Sequence, residues 1–268
     1  MLGKLMKYEF KACGRIFFPL YIGILFLAVI NGVSIGSSLK AEDGSILDTN
    51  VLNTQSILTL VMVALFVALF VITIVLTIQR FNKSLLEDEG YLMFTLPVKT
   101  SSLILSKLLV TLIYTIISAI VALLSFLIIG MIGGDFNIAE FFKLLSEVNV
   151  LDKSMELIVY MILWLLISYT IFVLSIYLSL SIGQLPQLSK YKVAAGVVLF
   201  FIINLIINKI QTFMRNGILG NVSEINITNN ITTLPYMYLF INLIISITIG
   251  AILFLLTNWI LNKKLNLE

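Results

Sequence analysis

The chain has 268 residues, of which 60% are apolar and only 12% charged, about half the charge of an ordinary soluble domain. A mean hydropathy of +1.09 therefore excludes a soluble globular protein and predicts an all-α polytopic membrane protein. The one cysteine, Cys13, rules out an internal disulfide or a zinc cluster, and with no histidine the usual general base, metal ligand and pH switch are missing; a net charge of +3 without a long basic run gives no reason to expect nucleic acid.

Residues 1–15 read as an amphipathic helix on a membrane surface. At 100° per residue Lys4, Lys7, Lys11 and Arg15 fall in one narrow arc, and Leu2, Leu5, Met6, Ala12 and Cys13 lie opposite. The basic residues are spread through the segment instead of preceding an apolar core, so it does not read as a signal peptide. Glu9 breaks the pattern by projecting from the apolar side. It is either an edge carboxylate that snorkels to water or a group buried against a cation.

Residues 16–268 then read as a six-helix transmembrane domain, with charge-poor spans at about 16–37, 55–79, 103–130, 157–182, 191–210 and 236–261. Each meets the requirement of about 20 residues. Pro19 lies near the start of the first span, where a missing N–H is tolerated. The second span continues as helix toward Glu89. At 1.5 Å per residue it would be roughly 50 Å long, more than the ~30 Å hydrocarbon core. The fifth is the weakest, being short and interrupted by Asn204 and Asn208.

Orientation follows from lysine and arginine. With the N-terminus inside, Lys4, Lys7, Lys11, Arg15, Arg80, Lys83, Lys99, Lys107, Lys190, Lys192, Lys263 and Lys264 face the cytoplasm. Lys40, Lys143, Lys153, Lys209 and Arg215 face outward, which divides the 17 basic residues 12 to 5. Both termini are expected to be cytoplasmic. The stretch 135–153 carries an apolar stripe suited to the outer interface, and 212–234 is rich in Asn, Thr and Gly.

The spans carry no charge near their middles, which argues against a proton- or ion-coupled carrier. No glycine-rich phosphate loop is present, so the chain is not expected to be an enzyme or to bind a cofactor, and transport would draw energy from elsewhere. The spans do carry uncharged polar residues: Thr73, Thr77, Ser168, Ser175, Ser179, Asn204 and Asn208. They are either interhelical glue or the lining of an amphiphile pathway.

The most patterned stretch is 80–107. Glu87, Asp88 and Glu89 close a helix whose C-terminal cap is Gly90, and Pro97 stops any helix through Thr95 and Leu96. Thr100, Ser101 and Ser102 offer hydroxyls to cap the next helix. The acidic triplet stands where the helix dipole disfavours it. Either the loop is merely solvated or it docks on a basic partner, with Tyr91, Leu92, Met93 and Phe94 as apolar anchors.

EDEGYLMFTLPVKTSSLILSK resembles the first cytoplasmic loop of short six-helix permeases of the ABC-2 type from Gram-positive bacteria, and LMKYEFKACGRIFFPLY resembles their N-terminal helix. The resemblance implies the permease subunit of an ABC exporter in the bacterial cell membrane. It implies that the 80–102 loop couples to a separate ATPase, which holds the ATP and Mg, through Glu87, Asp88, Glu89, Gly90, Tyr91, Leu92 and Phe94. Glu9, Gln187 and Lys190, the last two on the short inner loop 183–192, are candidates for a second, smaller contact. Two permease subunits, identical or different, would pair. Family cargo includes antimicrobial peptides, lipids and small drugs. The alternative is a membrane anchor, sensor or assembly subunit that transports nothing.

Overall fold

The computed structural model describes residues 2–41, 49–86, 98–134, 143, 152–185, 191–219 and 234–263. Six long helices account for nearly all of them: α1 (Leu2–Ala41), α2 (Thr49–Phe81), α3 (Thr100–Gly133), α4 (Asp152–Gly183), α5 (Lys192–Leu219) and α6 (Leu234–Lys263). Each is long and apolar enough to cross a membrane. No strand occurs among the described residues. Helices are the natural outcome for such a sequence, because a helix satisfies its backbone hydrogen bonds within one segment where lipid offers none.

The helices run beyond the apolar stretches that announce them. The amphipathic residues 2–15 and the first span form one uninterrupted helix of 40 residues, with Pro19 inside it. Proline there removes the bond to the Arg15 carbonyl. The loss falls at the border between the basic and apolar stretches, where a freed carbonyl is most easily hydrated. The facial pattern is as expected: Lys4, Lys7, Lys11 and Arg15 are exposed and Cys13 is buried. The fifth helix, expected to be short, has 28 residues. The second helix leaves α geometry at Phe81 and continues as a π turn, Asn82–Leu86.

The chain forms two compact units. The first comprises Met1–Thr77 and Leu109–Met155, so it takes in α1, most of α2 and the greater part of α3. Its core is built from Cys13, Phe17, Tyr21 and Ile24 of α1, Leu69 and Leu76 of α2, and Val110, Tyr114 and Val121 of α3. Spacings of three, four and seven keep each set on one helix face. Phe17 stacks on Tyr114 with ring centroids 4.7 Å apart, and Phe10 stacks on the same ring at 4.8 Å. The Tyr114 hydroxyl donates to the Phe10 carbonyl at 2.7 Å, and Tyr21 Oη lies 2.8 Å from Ser118 Oγ.

Farther along, α1 and α3 cross closely. A Cβ at Gly36 would stand 2.8 Å from the Ile132 carbonyl oxygen, and one at Gly133 would stand 2.8 Å from Ile35 Cβ. Small residues four apart, Gly32 and Gly36, let the two backbones approach as membrane helices commonly do. Asn31, fully buried beside this crossing, donates from Nδ2 to the Leu58 carbonyl at 3.2 Å.

The second unit comprises Ile78–Leu108 and Glu156–Glu268. Phe81, Leu85, Ile104, Val173 and Tyr177 are its most deeply buried large side chains. Helices α4 and α5 meet at glycines, since a Cβ at Gly183 would lie 3.1 Å from the Lys192 carbonyl oxygen and 3.5 Å from Gly196 Cα. Residue Gly250 of α6 faces Ile171 of α4, at 3.7 Å for an added Cβ.

Candidate functional site

The expected docking residues Glu87, Asp88, Glu89, Gly90, Tyr91, Leu92 and Phe94 lie outside the described residues, as do Gln187 and Lys190. Glu9, on α1, is half-buried. What the structure provides is the base on which the 87–97 stretch is mounted, and that base lies within the second unit.

On the leading side the base is the π turn. Ser84, Leu85 and Leu86 are buried in it, and Phe81 just before it is completely buried. The Phe81 ring lies almost parallel to that of Tyr177 on α4, with an interplanar angle of 10° and centroids 4.1 Å apart. Gln184 Nε2, in the turn just past the end of α4, stands 3.5 Å from Asn82 Oδ1, long for a hydrogen bond.

On the returning side Lys99 is exposed and α3 begins at Thr100. The Ser102 N–H bonds the Lys99 carbonyl at 2.9 Å. Sequence reading offers Thr100, Ser101 and Ser102 as caps for this helix; of these, Thr100 turns its hydroxyl to α6. There it lies 2.8 Å from Asn258 Oδ1 and 2.7 Å from Asn262 Oδ1. One hydroxyl proton serves one of these oxygens at a time. The physical reason is position: Thr100 is already the first residue of the helix, one past the place from which a side-chain oxygen accepts the first free N–H groups, so its hydroxyl is left to donate to α6. Lys107, two turns on, is buried.

The polar residues expected within the spans divide between the two units. Thr73 and Thr77 are in the first, with hydroxyls donated to the Leu69 and Thr73 carbonyls, each at 2.7 Å. Ser168, Ser175, Ser179, Asn204 and Asn208 are in the second. Ser175 and Ser179 donate to Phe172 and Ile176 carbonyls at 2.7 and 2.8 Å. Asn204 Nδ2 reaches across from α5 to Ser175 Oγ at 3.3 Å and also bonds its own Phe200 carbonyl at 2.8 Å. Ser168 is half-buried and Asn208 exposed. Of this set, the Ser175–Asn204 pair joins two helices.

This thrift with protons is general. The buried hydroxyls of Thr73, Thr77, Ser106, Ser118, Ser125, Ser175, Ser179, Ser181, Ser246 and Thr257 all donate to the carbonyl three or four residues earlier. Ser84 is the exception: its buried Oγ has no partner among the described residues. An open groove of about 490 Å³ in the second unit is lined by Leu105, Leu108, Ile171 and Gly250, with Thr170 and Ser246 as its hydroxyls. Both hydroxyls donate within their own helices, so the groove presents an apolar wall.

Sequence reading did not single out Phe81, and it read Ser84 as part of a helix end and Tyr177 as one of several polar residues in the fourth span. An aromatic at helical spacing reads as core, and nothing local marks a π turn. A usable signal is Phe81 itself, a large apolar side chain placed between Arg80 and Asn82 where the apolar run has already ended.

Six apolar helices of spanning length define a multi-pass membrane protein. Residues 51–146 match the family model described as ABC-2 family transporter protein, in agreement with the resemblance carried by the 80–107 stretch. The match covers most of α2, the 87–97 stretch and all of α3, and with the six helices it supports a transmembrane transporter permease of ABC-2 type. No curated protein and no solved structure matches the chain.

Proposed function

We propose that the chain is the permease subunit of an ABC exporter, moving an amphiphilic cargo with energy from a separate ATPase that docks on the 80–102 loop. The observation that carries this reading is the family match across 51–146, which places that loop inside the matched region. The self-satisfied hydroxyls and the apolar groove favour amphiphilic cargo over a polar solute. ATP and Mg belong to the ATPase in this reading. Two permease subunits pair, and the termini are cytoplasmic.

In the docked complex the acidic triplet steers the encounter and the apolar residues supply affinity. Phe94→Ala or Tyr91→Ala is expected to weaken association with the ATPase by about 1–3 kcal/mol, as loss of an interface anchor does. Reversing Glu87 and Glu89 to lysine should slow association and change its salt dependence. The check is co-purification of the ATPase with each variant at low and high salt. Retention of the partner by every variant would remove the loop from the docking surface, and absence of any ATPase from the wild-type preparation would leave the anchor or sensor reading in its place.

A further inference from the structure

The π turn Asn82–Leu86 stands between α2 and the docking loop, and it is the one π segment among the described residues. Such turns are rare and occur disproportionately at functional sites. A π turn closes its hydrogen bonds five residues apart instead of four, so it holds one residue more than the α turn it replaces. This one carries a visible penalty. In an α turn the Ser84 hydroxyl would reach the carbonyl of Phe81 or Arg80, as every other buried serine and threonine hydroxyl among the described residues does with its own turn. Here it is 4% exposed and its oxygen has no partner among the described residues. An unsatisfied buried hydroxyl favours any rearrangement that would satisfy it.

The turn is also attached at its leading edge. Phe81 is 0% and Tyr177 is 1% exposed, and the two rings are stacked at 4.1 Å. Tyr177 lies on the stretch of α4 that meets α5 through Gly183 and Gly196 and through Ser175 and Asn204. A change in winding after Phe81 therefore presses on a packed ring, and packed interiors shift between discrete arrangements more readily than they deform continuously.

We infer that Asn82–Leu86 is a two-state coupling joint, which rewinds between π and α hydrogen bonding when the ATPase engages the loop after it, with Phe81 and Tyr177 as the positioning residues that pass the change to α4. The inference rests on the permease reading above. In one direction the loop would turn relative to α2 by one residue's rotation, about 100°, with a rise of about 1.5 Å. In the other, strain at α4 would present the loop differently to the ATPase.

The test uses the full chain with its ATPase in proteoliposomes. Two quantities are read: ATP hydrolysis relative to the free ATPase, and the distance between spin labels at the exposed Lys83 and Tyr191 in a Cys13→Ser background, with and without ATP-vanadate. Phe81→Leu and Tyr177→Leu are expected to retain the ATPase but lose roughly tenfold of the permease-dependent hydrolysis, a usual size for coupling between sites, together with the change in label distance. Phe81→Tyr and Tyr177→Phe keep a ring in place and should keep both signals. Ser84→Ala removes the hydroxyl that drives rewinding. It should keep or raise thermal stability while lowering hydrolysis several-fold, an outcome that misfolding does not produce. Wild-type hydrolysis and wild-type distances in Phe81→Leu and Ser84→Ala, with the ATPase still bound, would overturn the joint and leave the permease reading intact. Failure of the wild-type chain to capture any ATPase would overturn both.

Discussion

At the scale of single residues, the chain shows how hydroxyls live in an apolar interior. Most donate back to their own helix, which satisfies the proton; Ser118 and Ser175 do so while their oxygens meet Tyr21 and Asn204 on other helices. Others join helices outright. Tyr114 is the most connected: its ring carries both Phe10 and Phe17, and its hydroxyl donates to the Phe10 carbonyl. A methylene at Gly14 would lie 3.0 Å from that hydroxyl, so the glycine leaves room for it. Tyr114→Phe should keep the stacking and lose the bond. The Phe10 carbonyl lies inside α1, where the backbone also supplies a donor, so the loss should be modest, about 0.5–1 kcal/mol. Thermal unfolding in detergent measures it; a loss well above that range would mean the carbonyl depends on Tyr114. Sequence reading named Ser175 and Asn204, which do join two helices, beside Thr73, Thr77 and Ser179, which bond within their own. The missing information is azimuthal. Which polar residue faces a neighbouring helix depends on packing between segments far apart in the chain, as with Tyr21 and Ser118.

At the scale of elements, the apolar runs located every helix but not where each one ends. Hydropathy marks the part of a helix that lipid would contact, and α1, α4 and α5 continue through polar residues at no cost to their backbone bonds. The π turn was not legible, because nothing in residues 82–86 opposes α geometry locally. The α1–α3 crossing was also missed, although Gly32 and Gly36 are plain in the sequence. Paired glycines acquire meaning once Ile132 and Gly133 are known to lie opposite them. Gly36→Ala forces a Cβ to within 2.8 Å of the Ile132 backbone oxygen, and backbone does not yield as a flexible side chain would. The expected loss is about 1–3 kcal/mol, the usual range for overpacking. Gly3→Ala is the control. It meets nothing within 4 Å and should be neutral or stabilising through helix propensity alone. Equal unfolding temperatures for the two variants would show that the crossing tolerates separation.

At the scale of the whole molecule, many large apolar side chains among the described residues are exposed. Phe18, Phe70, Leu123, Phe201 and Leu255 are all more than half exposed. In water such a surface would aggregate; in a bilayer it is the solvent-facing surface. The direction in which the helices thread the bilayer is a proposal from charge alone: with the N-terminus inside, the 17 basic residues divide 12 to 5 between the two sides. On that proposal the N-terminus, the 80–102 loop and the C-terminus are expected together in the cytoplasm. The assignment is open to a chemical check because the chain has one cysteine, and it is buried. In a Cys13→Ser background, cysteines substituted at Ser45 and Asn221 should react with a membrane-impermeant thiol reagent added to intact cells. One substituted at the exposed Lys99 should react only after the cells are opened. The second result matters most, because Lys99 closes the loop on which an ATPase is proposed to dock, and such an enzyme meets its ATP inside the cell. Labelling of Lys99→Cys from outside, with Ser45→Cys and Asn221→Cys protected, would invert the topology and put the loop beyond the reach of that partner.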